Sequence, residues 1–87
     1  MPISSAEPID VAVNDDILRV IFSDGSQAAG PISYSPRLQA ATLQQRQNWT
    51  WIGRRSGIHW PEIDEDLSVS GIIRDFGITK AKLGAVA

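Results

Sequence analysis

The sequence predicts a small α+β domain, with an N-terminal antiparallel meander, a second hairpin and short helices packed on one face of the sheet. Three observations carry that expectation. Runs rich in β-branched and aromatic residues are separated by Asn14-Asp15-Asp16 and Ser23-Asp24-Gly25-Ser26, both turn signals. Two helix-start signals follow at Ser35-Pro36 and at Thr42-Leu43-Gln44-Gln45. Near the C-terminus, Val69, Ile72, Ile73 and Phe76 recur at the i, i+3, i+4, i+7 spacing of one helical face.

Taken in order, residues 1–9 carry Pro2 and Pro8 among small polar residues and read as a flexible lead-in to a single domain over 10–76. Val11 and Val13 alternate with other residues ahead of the Asn14 turn, and Ile17 to Phe22 forms the partner strand. Asp24-Gly25 predicts a tight turn with Gly25 at positive φ, followed by a third strand over 27–30. Ser35 caps a helix whose first residue, Pro36, has its φ already fixed at a helical value. Thr42 and Gln45 form a capping box, so the helical segment divides into pieces at 36–41 and 43–48. Trp49-Thr50-Trp51-Ile52 and Ile58-His59-Trp60 flank a Gly-bounded polar turn and read as the second hairpin, with Trp49, Trp51 and Trp60 in one cross-strand aromatic cluster. Pro61 stops that strand. After the acidic stretch 62–66, a helix over 68–76 ends at Gly77, and a tail over 77–87 carries Ile78 and Leu83 as residues able to dock.

Composition narrows the functional classes. The 87 residues are 43% hydrophobic and 21% charged, an ordinary globular balance. A chain of this length buries only roughly 60–65% of the surface it exposes when unfolded, so association into a homo-oligomer is a natural supplement to its core. No cysteine is present, which removes disulfides, thiolate metal sites and cysteine nucleophiles together. The N-terminus has no basic start followed by an apolar stretch, and no run approaches the roughly 20 apolar residues that a membrane helix needs. A cytoplasmic protein is expected. Asn48-Trp49-Thr50 matches a glycosylation acceptor by chance in that setting. The net charge of −2 argues against a dominant attraction to nucleic acid or anionic lipid.

A longer pattern is more distinctive. The stretch from Ile58-His59-Trp60-Pro61-Glu62-Ile63-Asp64 through Leu67-Ser68-Val69 to Ile72-Ile73 resembles the closing motif of the bacterial domain-of-unknown-function family DUF2442. Leu18 to Phe22 with Ser23-Asp24-Gly25, then Ser35-Pro36-Arg37-Leu38, then Gln45-Arg46-Gln47-Asn48-Trp49, resemble the same family in the same order, from about Val11 to Arg74. The resemblance implies a small α+β fold without an established activity. It also implies that some relatives resemble antitoxin components encoded beside small partners of the family DUF4160, and that some carry an appended helix-turn-helix. The thirteen residues after Arg74 are too few for such an appendage. Shared fold does not by itself carry function.

His59 followed by Glu62, Asp64 and Asp66 is a thin basis for a metal site, because a lone histidine lacks a pairing motif. The plainer reading gives His59 a local hydrogen bond and lets the acids solvate a loop and favour the start of the next helix. Asp75-Phe76-Gly77 matches a kinase tripeptide without the rest of that apparatus and reads as a helix end. No catalytic, metal or cofactor residues are therefore expected. The first functional reading is a non-enzymatic protein-interaction module, antitoxin-like by resemblance, meeting a protein partner through the sheet edge or through Glu62, Asp64, Glu65 and Asp66. The alternative is a nucleic-acid-associated regulator using Arg46, Arg54 and Arg55 beside the tryptophans.

Overall fold

A computed structural model describes residues 6–80. The first part of the expected lead-in and Leu83 lie outside the described residues. Three strands open the chain: β1 (Pro8–Val13), β2 (Ile17–Phe22) and β3 (Gln27–Pro31). A 3-10 turn at Ile32–Tyr34 leads to α1 (Pro36–Ala40) and α2 (Leu43–Gln47), then to β4 (Thr50–Ile52), β5 (Gly57–Trp60), β6 (Glu65–Ser68) and α3 (Val69–Phe76). The α+β class holds. The strands divide into two antiparallel meanders, β1-β2-β3 and β4-β5-β6, each pairing neighbours in sequence.

Local chemistry explains the turns. Asn14 Oδ1 accepts from the amides of Asp16 and Ile17, and so closes the first hairpin with its own side chain. In the second, Gly25 has φ 87°, as its place after Asp24 predicts. The loop is nevertheless three residues long: the Phe22 carbonyl accepts from Gly25 N–H while Phe22 N–H donates to Ser26. Asp24 is not at positive φ, so this is a type I turn closed by a glycine bulge and not the two-residue mirror-image turn. Asp24 accepts from both the amide and the hydroxyl of Ser26, which hold its carboxyl below the usual range.

The first strand begins earlier than the alternation of Val11 and Val13 suggests. Pro8 is tolerated as its first residue because it has no N–H to withhold from a ladder, and the register slips between Pro8 and Asp10. Ser35 and Thr42 cap their helices as expected, Ser35 Oγ accepting from Leu38 N–H and Thr42 exchanging bonds with Gln45 in a capping box. Ser68 caps α3 by accepting from Gly71 N–H, and Gly77 ends it at φ 76°.

Both sheets and α3 share one core. From the first sheet come Val11, Leu18, Val20, Phe22 and Ala28; from the second, Ile58 and Trp60; from the helical parts, Ile32, Leu38, Val69 and Ile72. Of the helical stripe, Val69 and Ile72 are buried while Ile73 and Phe76 are half-buried. Gly30 lies opposite Leu18 on the inner face of the first sheet, and a Cβ built there would stand 2.3 Å from the Phe76 ring. The glycine is needed for space. Gly30→Ala is therefore expected to destabilise the fold by about 1–3 kcal/mol, and the added change Phe76→Leu to recover part of that loss in urea denaturation. Equal midpoints for parent and Gly30→Ala would remove this contact from the packing argument.

Candidate functional site

The acidic stretch does not form one open loop. Glu65 and Asp66 belong to β6, which pairs with β5 so that Trp60 faces Glu65, His59 faces Asp66 and Ile58 faces Leu67. Aspartate and glutamate are poor strand formers, and the strand arises because tertiary pairing overrides that preference. Residues on opposite strands that face one another share a side of the sheet. Glu65 and Leu67 accordingly turn inward with Ile58 and Trp60, while Asp66 turns outward with His59.

Each acid has a different engagement. Glu65 Oε2 accepts from the hydroxyl of the fully buried Ser35 at 2.6 Å, which ties β6 to the start of α1. Asp66 Oδ1 pairs with His59 Nδ1 across the strands. Glu62 accepts from Asn48 Nδ2 at 2.7 Å. Asp64 occupies the β5–β6 turn at φ 53°, and Arg37 holds that turn by donating to the carbonyls of Ile63 and Asp64. The Asp64 carboxylate itself is only loosely approached, 3.9 Å from Arg37, and its side chain is 93% exposed. No acid lies in the first turn of α3, so these carboxylates do not serve as charges at that helix start, contrary to the plainer expectation.

The residues of the alternative reading separate. Arg46 is not on the surface: it is buried, with Nε donating to Leu38 O at 2.9 Å, one terminal nitrogen to Gln39 O at 3.0 Å and the other to Asp15 at 2.6 Å. It satisfies carbonyls at the end of α1 and joins them to the first hairpin turn. Its own carbonyl accepts from the indole of the fully buried Trp60. Trp49 and Trp51 do form an edge-to-face pair with centroids 4.9 Å apart, but Trp60 serves the core and its bond to Arg46. Arg54 and Arg55 are exposed in the turn between β4 and β5. Arg55, at φ 62°, donates to Pro8 O and lies 5.7 Å over the Trp51 ring.

The sheet edges are blunted. In the β5–β6 ladder Val69 N–H bonds to Ser56 O, and by alternation the backbone of Asp66 faces away from β5. Its N–H is already taken by Glu65 Oε1. On β1 the same phase argument, from Asn14 N–H to Ile17 O, turns the backbone groups of Val11 away from β2, and its N–H is taken by Asp10 Oδ1. Gln27 of β3 exchanges both backbone bonds with Thr79. β4 is three residues long. These are familiar ways of discouraging an added strand, so the side chains are the better docking feature.

Away from these elements, Tyr34 donates to Asp75 at 2.7 Å and rests edge-on against Phe76, joining the 3-10 turn to the end of α3. The bond raises the Tyr34 pKa, and together with Arg74 it lowers that of Asp75. Stability from Asp75 is present above the unfolded carboxylate pKa and is lost as pH falls through the lower folded value. Stability from Tyr34 is present below the unfolded phenol pKa and is lost as pH rises through the higher folded value. The melting difference between parent and Tyr34→Phe should hold constant through neutral pH and shrink below about 4 and above about 10. A difference independent of pH would remove the bond as its source.

Among the described residues no three histidine, aspartate or glutamate side chains gather as a metal cluster, and no helix is long and apolar enough to cross a membrane. Two meanders sharing one core, capped by a short C-terminal helix, define a small two-sheet α+β domain. The family model described as protein of unknown function (DUF2442) matches residues 8–77, and the chain belongs to that family. A crystal structure of a protein of unknown function from Rhodospirillum rubrum ATCC 11170 is similar at 23% identity and a TM-score of 0.68, over 88% of this chain and 95% of that one. That likeness concerns the fold. No curated protein matches the chain.

Proposed function

We propose that the chain is a non-enzymatic protein-interaction module of the cytoplasm whose acidic β5–β6 turn and outward Asp66 receive a basic surface on a protein partner. The observation that supports this most directly is the exposure of Asp64 and Asp66, whose side chains are 93% and 65% exposed beside Glu62. Complementary charge of this kind speeds encounter more than it adds affinity. A small toxin held by an antitoxin-like module is one partner class with suitable chemistry, and it is the class that the family resemblance implies.

Glu65 belongs to the fold through Ser35, so the informative variant is Asp64→Asn with Asp66→Asn, leaving Glu65 intact. Affinity capture from the native host should recover the same basic protein several-fold less with this variant than with the parent, and added salt should slow association. Equal recovery by both would remove the acidic turn from the interface, and recovery of nucleic acid alone would overturn the reading.

A further inference from the structure

We infer that the outer face of the second sheet is a self-complementary docking surface for a second copy of this chain. The inference rests on the reading of the acidic turn as an electrostatic docking site and names a partner for it. The strand register places Thr50, Ile52, His59 and Asp66 on this face, opposite the core side that carries Trp51, Ile58, Trp60 and Leu67. Thr50, Ile52 and Asp66 are exposed, and Ile52 retains 40% of its surface in water, among the larger apolar exposures of the described residues.

Opposite charges stand at the two ends of this sheet. In a meander successive turns lie at opposite ends, so Arg54 stands at one end and Asp64 at the other, while Arg55 turns to the core side over Trp51 and onto Pro8 O and Glu62 is held by Asn48. Four-residue strands separate the two ends by roughly 13 Å. Arg54 has no ion-pair partner among the described residues, and Asp64 has only the loose approach of Arg37.

A second copy stacked on this face with its strands antiparallel, about a two-fold axis between the sheets and perpendicular to the strands, sets each arginine turn over the other copy's acidic turn. Stacking with strands parallel sets like charges together. The complementarity therefore selects both the partner and its orientation, and two-fold symmetry closes the assembly at two copies. Thr50, Ile52 and His59 then meet their counterparts between the two charged ends. Because the edges are blunted, the contact is face to face and not a continuous sheet.

Sedimentation velocity of the full chain across a dilution series tests this. The parent should pass from monomer to dimer. Arg54→Glu and Asp64→Lys should each weaken association about tenfold, since each places two like-charge contacts in the symmetric dimer. An equimolar mixture of the two variants should dimerise again, because both contacts are opposite in charge in the mixed pair, and the double variant should dimerise with itself. A parent that is monomeric throughout, or variants that associate as the parent does, would overturn the inference. Arg54→Glu also separates it from the wider reading. Loss of the dimer with undiminished capture of a basic host protein supports both. A monomeric parent that still captures that protein through Asp64 and Asp66 overturns the second-copy inference alone.

Discussion

Arg46→Ala is expected to lower stability by about 1–3 kcal/mol, mainly because the Gln39 carbonyl loses its donor inside the protein, while the Leu38 carbonyl keeps only the Ala41 N–H. The ion pair with Asp15 contributes little to that figure, since the Asp15 side chain is 89% exposed and its charge is satisfied by water when the arginine is removed. The guanidinium matters for its shape. It donates along three directions to Leu38, Gln39 and Asp15, and an ammonium on a flexible stem cannot reproduce that fork. Arg46→Lys should therefore recover only a small part of the loss. For a domain whose whole stability is of the order of 5–10 kcal/mol, either change should shift the urea midpoint clearly. Because Trp60 donates to the Arg46 carbonyl, its fluorescence should report the same transition. Unchanged midpoints for both variants would mean that the Gln39 carbonyl finds another partner.

Ile72→Ala should lower stability by about 2–4 kcal/mol, whereas Ile73→Ala should cause a clearly smaller loss. Both lie on the apolar stripe of α3, but Ile72 is fully buried against the shared core and Ile73 is only partly covered. A deletion at Ile72 leaves a cavity among residues of both sheets; at Ile73 solvent and neighbouring side chains fill the space. Denaturant midpoints for the two variants measure the difference directly. Equal losses would show that the helix can shift to share the defect.

That ranking also marks how far the sequence is legible. Features that depend on neighbours within four residues are read correctly: the Ser35 and Thr42 caps, positive φ at Gly25 and the stop at Gly77. The spacing of Val69, Ile72, Ile73 and Phe76 identifies a helical face, but which of the four lies deepest depends on what the helix meets. Strand β6 hides behind its acids. Ile63, Leu67 and Val69 do alternate with Asp64, Asp66 and Ser68, and that period of two was the available signal. Glu65 interrupts it at an inward position, and only the hydroxyl of Ser35, thirty residues earlier, makes a carboxylate tolerable there. Arg46 is obscured for the same kind of reason. A lone arginine between glutamines looks like surface, and its burial follows from carbonyls that become partners only once α1 and α2 fold against each other. Of the candidate site, charge and position along the chain were visible, while the division of the acids between structural and outward roles was not.

The pairing of strands only with their sequence neighbours bears on how the chain folds. No strand waits for a distant segment before it can pair, so each meander can form from hairpin contacts alone, and loop-closure entropy enters late. The long-range step is the docking of one meander on the other. Helix α3 bridges that step, since it continues directly from β6 and packs against β3. Folding in milliseconds or faster is in keeping with such local topology. In that sequence of events the Gly30–Phe76 contact and the Tyr34–Asp75 bond form last, and their loss should speed unfolding more than it slows folding.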